Sequence, residues 1–261
     1  MITHGLGQRW RGFGLVELMI AMTLGLILVL GVSQIFLAGK QSFVVQQHTA
    51  ALQENARFVL SRISRDLRQA GMFGCLDPAR LPAATRSQMP AGFDTPVSFA
   101  NDVLKLITAV PVHDRVTVTA TRRAADYGAQ WLIATNCLDE LRIAAGSNGL
   151  QVEPGDFVIP VRQVEYRLDQ HRVQIRINGN GNFEVLIDDV AGFDMQFGLA
   201  ASAADRVVDG RYVGAVAAAD SERIRSVRLA LSLSDNPANP ADGQIRVQQY
   251  TLVTALRNRL N

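Results

Sequence analysis

The chain has 261 residues, and 48% of them are apolar, which is enough for a folded core in one or two domains and excludes a disordered tail. Its 26 basic and 24 acidic residues leave a formal net charge of +2, so no basic excess points to a nucleic-acid partner. The distribution of the apolar residues is therefore more informative than the charge.

One apolar stretch, residues 12–39, is long enough to cross a bilayer. A helix over residues 13–38 would be about 39 Å long at ~1.5 Å per residue, against a hydrocarbon core of roughly 30 Å. Glu17 is the one ionisable residue in the stretch. A charge inside a membrane is costly and marks a functional-site candidate.

A short basic leader precedes this stretch. Arg9 and Arg11 are its charged residues, so the positive-inside rule places residues 1–12 in the cytoplasm and the rest of the chain outside. In a secretory signal peptide the cleavage site follows the apolar segment, whereas here the small residue Gly12 precedes it. Cleavage after Gly12 would therefore keep the membrane helix.

Residues 12–18, Gly-Phe-Gly-Leu-Val-Glu-Leu, resemble the class III signal of type IV pilins and type II secretion pseudopilins. The resemblance implies that a prepilin peptidase cleaves between Gly12 and Phe13 and that the new amine of Phe13 is methylated. It also implies that Glu17 guides subunit assembly. Gly14 departs from the family pattern, which usually has Thr or Ser there. The alternative is an ordinary single-pass anchor with Glu17 near the headgroups.

Glu17 must find a cation in an apolar bundle or become neutral. The next basic residue is Lys40, about 35 Å away along a helix at ~1.5 Å per residue, so no basic side chain of the same chain reaches Glu17. The remaining cation is the methylated amine of Phe13, in the same chain or in a neighbouring subunit, and we expect the neighbour's amine to be the partner. Such a pair would set the axial stagger between subunits.

The helical pattern continues over residues 40–70 without a proline. Its apolar positions recur at spacings of three, four and seven residues and form one stripe: Val45, Leu52, Ala56, Val59, Ile63, Leu67 and Ala70. The stripe predicts an amphipathic helix that packs on a globular body and ends at Gly71. One helix over residues 13–70 follows, with a kink left open near Gln34, where many pilins have a proline.

The rest of the chain predicts a β-rich head. Residues 72–100 are punctuated by proline and glycine and predict an ordered loop, as do residues 235–243, whereas 201–222 predict a loop or a short helix. Strands are predicted at 103–107, 115–119, 131–135, 156–168, 172–177, 183–187, 192–199, 224–233 and 245–255. Short links at 169–171 and 178–182 indicate hairpins, hence antiparallel pairing.

The predicted fold class is α+β and pilin-like, with a long N-terminal helix packed on a C-terminal antiparallel β-sheet head of one or two sheets. Its predicted parts are a cleaved leader (1–12), a transmembrane and assembly helix (13–39), an amphipathic continuation (40–71) and a periplasmic head (72–261). The chain would be a single-pass protein of the inner membrane and reach the pilus tip after assembly.

The two cysteines, Cys75 and Cys137, both lie on the predicted outward side, and no metal-ligand spacing competes for them. An oxidising compartment permits one disulfide between them. The alternative is two buried free thiols.

The sequence contains no motif of a catalytic or cofactor site. Its four histidines lack zinc-ligand spacing, and neither a Walker loop nor a nucleophile elbow occurs. Asp235, Asn239 and Asp242 place oxygen ligands in one loop, but loops rich in Asp and Asn are mostly turns rather than calcium sites. We expect a non-catalytic protein with no cofactor and no metal.

Five further segments resemble the PilW family of minor type IV pilins: residues 52–58, 64–75, 164–168, 190–198 and 255–259. The resemblance implies a low-abundance subunit that joins other minor pilins and the major pilin in a priming complex at the filament tip. The other expected partners are the prepilin peptidase and the inner membrane. No nucleic acid and no small-molecule substrate is expected.

Two other functions stay open. A pseudopilin of a type II secretion system has the same kind of anchor and a similar β-rich head. A tip adhesin would need an exposed aromatic or charged groove, and Trp131 and the four tyrosines form no visible cluster in the sequence.

Overall fold

The chain begins with one long helix, α1 (Leu15–Gln69). The computed structural model describes residues 14–78, 81–111, 114–243, 245 and 247–256. α1 passes through its glycines and through Gln34 without interruption, so the prediction of one long helix is confirmed over the described residues. The chain divides after Ala50 into two compact units, and α1 contributes residues to both.

Gly71 ends α1, as the sequence predicts. Its φ of 72° lies in the left-handed region, which glycine adopts without the steric cost that other residues incur. The backbone N–H of Gly71 then donates to the carbonyl of Ile107 at 2.9 Å. The helix therefore stops where the chain is turned onto the first sheet.

Fourteen strands and a short helix, α2 (Ala83–Arg86), follow within the described residues. The strands are β1 (Val97–Ala100), β2 (Val103–Ala109), β3 (Asp114–Arg115), β4 (Ala120–Arg123), β5 (Trp131–Thr135), β6 (Leu141–Ala145), β7 (Gly149–Val152), β8 (Phe157–Asp169), β9 (Arg172–Ile177), β10 (Glu184–Ile187), β11 (Val190–Leu199), β12 (Tyr212–Val213), β13 (Ile224–Leu233) and β14 (Gln248–Ala255).

The first sheet has eight strands around β8, and every pair in it is antiparallel. Along one edge β8 pairs with β2 and β3, and along the other edge it pairs first with β5 and then with β9. The strands β1, β6 and β10 extend this sheet through β2, β5 and β9. The first part of β8 therefore lies between β3 and β5, and its second part lies between β2 and β9.

A second, four-stranded sheet has the order β12-β11-β13-β14, and β4 and β7 form a separate two-stranded sheet. All of their pairs are antiparallel. The predicted hairpins β8–β9 and β9–β10 are also present. The antiparallel α+β architecture is thus confirmed, and the question of one sheet or two is answered by two larger sheets and one small one.

Two local predictions are wrong. Residues 97–100 belong to β1 instead of the loop, because Asn101 and Asp102 both have positive φ and close a two-residue hairpin to β2. The strand predicted at 115–119 pairs with β8 only at β3. The chain then leaves the sheet, and the backbone N–H of Val116 donates to the carbonyl of Asp156 at 2.9 Å. The short strands β4, β6, β7 and β12 were not predicted.

Three apolar clusters form the core of the head. The largest joins the helix stripe with side chains from both larger sheets, including Leu104, Val164 and Leu229. A second cluster lies under the segment that follows α1, and a third lies near β4 and β7. Leu132 and Ile133 are neighbours in β5 but belong to different clusters, because successive side chains of a strand point to opposite faces.

Candidate assembly site

The first part of α1 exposes apolar side chains on all sides. It is long and apolar enough to span a membrane, and no residue of its most apolar window is buried. Leucine, isoleucine, valine, methionine and phenylalanine side chains between Leu15 and Val45 are exposed in every direction around the axis. An apolar surface of this kind is stable in lipid or against other apolar helices, and not in water.

Two hydroxyl groups in this part of α1 bond to the helix itself. The hydroxyl of Thr23 donates to the carbonyl of Ile20 at 2.9 Å, and the hydroxyl of Ser33 donates to the carbonyl of Val29 at 2.8 Å. Bonds of this type satisfy a hydroxyl where no water is present. Thr23 and Ser33 are therefore compatible with an apolar environment.

Glu17 lies in the first turn of α1, and its Oε2 atom accepts a hydrogen bond from the backbone N–H of Gly14 at 3.2 Å. The carboxylate thus satisfies one of the free N–H groups at the positive end of the helix. The side chain is exposed. Gly12 and Phe13, the predicted cleavage and methylation residues, lie outside the described residues.

The second part of α1 is held in the head by a buried polar cluster that we call the Asp66 cluster: Arg62, Asp66, Arg162 and Tyr166. Asp66 is 1% exposed, and the Tyr166 hydroxyl donates to its Oδ2 atom at 2.5 Å. Arg62 lies 3.5 Å from Oδ2, and Arg162 of β8 lies 3.7 Å from Oδ1. A buried carboxylate is stable only with such partners.

Burial raises the pKa of Tyr166 well above its usual value, and the charge of Asp66 and the hydrogen bond to it act in the same direction. Tyr166 therefore stays protonated and remains a donor to Asp66. A second buried bond, from the Thr254 hydroxyl of β14 to the Ser64 hydroxyl at 2.9 Å, joins α1 to the four-stranded sheet. These directional bonds fix the rotation and axial position of the helix stripe on the two sheets.

The sequence analysis missed Asp66, although a signal was available. Asp66 lies three residues after Ile63 and seven after Val59, so it occupies a position on the apolar stripe. A charged residue at such a position indicates a buried partner. The partner, Tyr166, is 100 positions away in sequence and no local pattern identifies it.

A disulfide joins Cys75 to Cys137, with the two Cα atoms 5.6 Å apart. Cys75 belongs to the segment after α1, and Cys137 lies in the turn after β5. That turn is held by Asn136. Its Oδ1 atom accepts hydrogen bonds from the backbone N–H groups of Leu138, Asp139 and Glu140, at 2.9 to 3.2 Å. The disulfide therefore connects the segment that covers the second apolar cluster to a fixed turn of the first sheet.

The loop of Asp235, Asn239 and Asp242 has internal partners for its polar groups. The carboxylate of Asp235 accepts from the backbone N–H of Ile245 at 3.3 Å, and the amide of Asn239 donates to Asp242. Among the described residues no group of three or more His, Cys, Asp or Glu side chains is arranged to hold a metal. The loop has the bonding of a turn.

One family description matches the chain. The prokaryotic N-terminal methylation motif covers residues 11–33, which include the Gly12–Phe13 bond, Glu17 and the first half of the apolar part of α1. The motif indicates a type IV pilin-like or pseudopilin-like protein. No curated protein matches the chain in sequence.

A pilin-like protein associates with the membrane and with the pilin assembly machinery, and proteins with this motif are structural and not catalytic. The long helix and antiparallel head described above agree with this architecture. The motif ends at residue 33, so it does not distinguish among the members of the pilin superfamily.

Proposed function

We propose that this chain is a minor pilin of the PilW type, a subunit that starts type IV pilus assembly in a complex with other minor pilins and the major pilin. The observation that carries the proposal is the divided character of α1. Its first part exposes apolar side chains all round, and its last turns are built into the core of the head. A helix of this kind suits a subunit that leaves a bilayer to enter a bundle of similar helices.

Processing follows from the same proposal. A prepilin peptidase on the cytoplasmic side removes residues 1–12 and leaves a methylated Phe13 at the start of the membrane segment, 13–39. Residues 40–71 continue the helix outside, and residues 72–261 form a periplasmic head. The Cys75–Cys137 disulfide is consistent with that oxidising location.

Glu17 is proposed to act in assembly. In the single chain its carboxylate bonds to the N–H of Gly14, so it already lies at the positive end of the helix. In the complex it pairs with the Phe13 amine of a neighbouring subunit, since an apolar bundle offers few other cations. The charge pair then selects one axial stagger between the two helices.

The proposal is tested by deletion and complementation. In a strain that lacks the protein, we expect few surface pili, and we expect the wild-type chain to restore them. Affinity-tagged full-length protein, extracted from the membrane after cross-linking, is expected to co-purify with the other minor pilins.

The same strain separates the proposal from a pseudopilin. Normal pilus numbers together with loss of type II secretion would assign the chain to the secretion system instead. Normal piliation and normal secretion would contradict both functions. Normal pilus numbers with loss of adhesion to a surface would favour a tip adhesin.

A further inference from the structure

The head contains an open cleft of ≈ 630 Å³ that the assembly role does not use. We call it the β5–β9 cleft. It lies where β5 and β9 follow each other along the same edge of β8: Trp131 is paired with Val161, and Ile177 is paired with Val164. Its walls come from three turns, within residues 125–131, 145–148 and 178–180.

Hydrogen bonds between the turns hold the cleft open in one shape. The backbone N–H of Ala125 donates to the carbonyl of Gly146 at 3.1 Å, and the N–H of Gly146 donates to the carbonyl of Gln130 at 2.9 Å. The third turn is attached by the side-chain amide of Asn178, which donates to the carbonyl of Gly128 at 3.1 Å. The cleft is therefore preorganised, which lowers the entropic cost of binding a ligand.

The side chains that line the cleft are uncharged. No Asp, Glu, Lys, Arg or His is among the described residues that line the cleft. Polar groups come from Ser147 and from the amides of Gln130, Asn148, Asn178 and Asn180. Without ionisable groups, the cleft offers no counter-charge for a phosphate, a carboxylate or an ammonium group.

Two acceptor oxygens in the lining have no protein donor among the described residues. The Oε1 atom of Gln130 and the Oδ1 atom of Asn178 are both buried and make no hydrogen bond. The orientation of the Asn178 amide is set by its bond to Gly128, so its oxygen gains no donor from a turn of the amide. Both oxygens have almost no exposed surface, so the exposed amides of Asn148 and Asn180 are the lining groups that a ligand reaches first.

An aromatic side chain completes the cleft. Trp131 is half-buried, and its ring packs edge-on against Phe93 with the ring centroids 5.3 Å apart. Its ring therefore has a fixed position and contributes apolar surface beside the amides. A ligand with both apolar C–H faces and many hydroxyl groups matches this combination.

We propose that the β5–β9 cleft binds an uncharged saccharide of one or two sugar rings. Hydroxyl groups exchange hydrogen bonds with the exposed amides of Asn148 and Asn180, while a sugar face packs on Trp131. The cleft volume lies within the roughly 300–1,000 Å³ of small-molecule sites. This binding activity goes beyond the proposed assembly role and does not depend on it.

The test uses the full-length chain in a detergent without a sugar headgroup. The chain has two tryptophans, so Trp10→Phe leaves Trp131 as the single tryptophan, which is excited selectively over the four tyrosines. Its fluorescence is followed during titration with maltose, lactose and N,N′-diacetylchitobiose. Glucuronic acid, glucose 6-phosphate and trialanine serve as charged and peptide comparators. Saturation-transfer NMR on the same mixtures detects ligands that leave the fluorescence unchanged.

Three variants distinguish the cleft from the rest of the head. Asn148→Ala/Asn180→Ala removes two exposed amides from the lining and is expected to weaken binding by about tenfold or more. Ala145→Phe fills the cleft from an exposed position of β6 and is expected to abolish binding. Asn182→Ala changes an exposed amide that follows the third turn without lining the cleft, and is expected to bind as the parent protein does.

Saturable binding of at least one neutral disaccharide, lost in Ala145→Phe and retained in Asn182→Ala, is the expected result. No binding of any neutral saccharide at millimolar concentration would overturn the proposal. So would tighter binding of a charged sugar or of trialanine, or equal binding by all variants. None of these results affects the pilus assay, so failure of the saccharide site is distinguishable from failure of the assembly role.

Discussion

The two parts of α1 share one continuous backbone but have opposite surroundings. Between residues 15 and 45 the apolar side chains are exposed, as with Leu28 at 68%. From Leu52 onward the apolar residues of the stripe recur every three or four positions and are buried, as with Leu67 at 0%, whereas Phe58, which lies off the stripe, is exposed. Helix formation is therefore not what separates the two parts. The arrangement of apolar residues around the axis decides whether the partner is the chain's own head or something outside it.

The difference separates the effects of mutation. A substitution in the second part removes contacts that exist in the folded chain and lowers the free energy of unfolding of the head. A substitution in the first part removes no contact with the head, so its effect is expected in the membrane or the assembled complex. The following predictions test this division, from the largest expected effect on head stability to the smallest.

Asp66→Ala is expected to destabilise the head by about 3–5 kcal/mol, because it leaves the buried Tyr166 hydroxyl and the partly buried guanidinium groups of Arg62 and Arg162 without their carboxylate. Urea unfolding of the detergent-solubilised protein, followed by circular dichroism, measures the change. Tyr166→Phe keeps the ring and removes one hydrogen bond, so a smaller loss of about 1–3 kcal/mol is expected. An Asp66→Ala variant as stable as the wild type would remove the Asp66 cluster from the explanation.

Loss of the disulfide is expected to destabilise the head by up to about 4 kcal/mol, from the loop that Cys75 and Cys137 close in the unfolded chain. The double variant Cys75→Ser/Cys137→Ser and the reduced wild-type protein are compared by the same unfolding measurement and should agree. Thiol labelling of the unreduced, denatured wild-type protein should find no free thiol. Two labelled cysteines would contradict the pairing.

Leu67→Ala and Leu28→Ala form a matched pair on one helix. Leu67→Ala opens a cavity in the largest apolar cluster and should cost about 3 kcal/mol. Leu28→Ala removes an exposed side chain and should change head stability by less than about 0.5 kcal/mol. Both values come from unfolding of the purified proteins. Equal losses at the two positions would mean that the first part of α1 also contributes to folding of the head.

Glu17→Ala is expected to change head stability by less than about 0.5 kcal/mol, because the side chain is exposed and bonds only locally to Gly14. Cleavage should also be unchanged. Surface pilus number and co-purification with the other minor pilins should fall, since the pair with the neighbouring amine is lost. Glu54→Ala, an exposed carboxylate in the second part of α1, is the matched control and should leave both unchanged.

Normal piliation in Glu17→Ala, at wild-type protein levels, would contradict the assembly role of this carboxylate. Glu17→Gln refines the result, because it keeps the side chain's size and its hydrogen-bonding oxygen but removes the charge. Loss of piliation in both variants assigns the role to the charge.

The sequence was most informative where a pattern is local. Spacings of three and four residues predicted the buried stripe of α1 from Leu52 onward, whereas Val45, which was assigned to the same stripe, is exposed. Alternation predicted β13 with the bounds that it has. Local patterns failed where a strand depends on a distant partner. Residues 116–119 have strand composition but no place in the first sheet, whereas β6 contains two adjacent alanines and is a strand because β5 pairs with it.

The functional residues also divide into those that a local pattern identifies and those that depend on a distant partner. Glu17 stood out because a single charge interrupts an apolar run, whereas Asp66 lies among many polar residues of its helix and its partner Tyr166 is far away in sequence. The β5–β9 cleft could not be predicted, since its three turns come together only because β5 and β9 pair with the same edge of β8. The cysteine pair was expected from compartment and count, but their spacing does not give the 5.6 Å between their Cα atoms.

The most direct test of the pilin-like assignment is the N-terminus of the mature protein. Mass spectrometry of membrane-extracted protein should find a chain that begins at Phe13 and carries one methyl group on its amine. Co-expression without the prepilin peptidase should leave the full leader in place. A chain from wild-type cells that begins at Met1, or one cut beyond Ala38, would contradict the assignment and return α1 to the role of an ordinary anchor or signal segment.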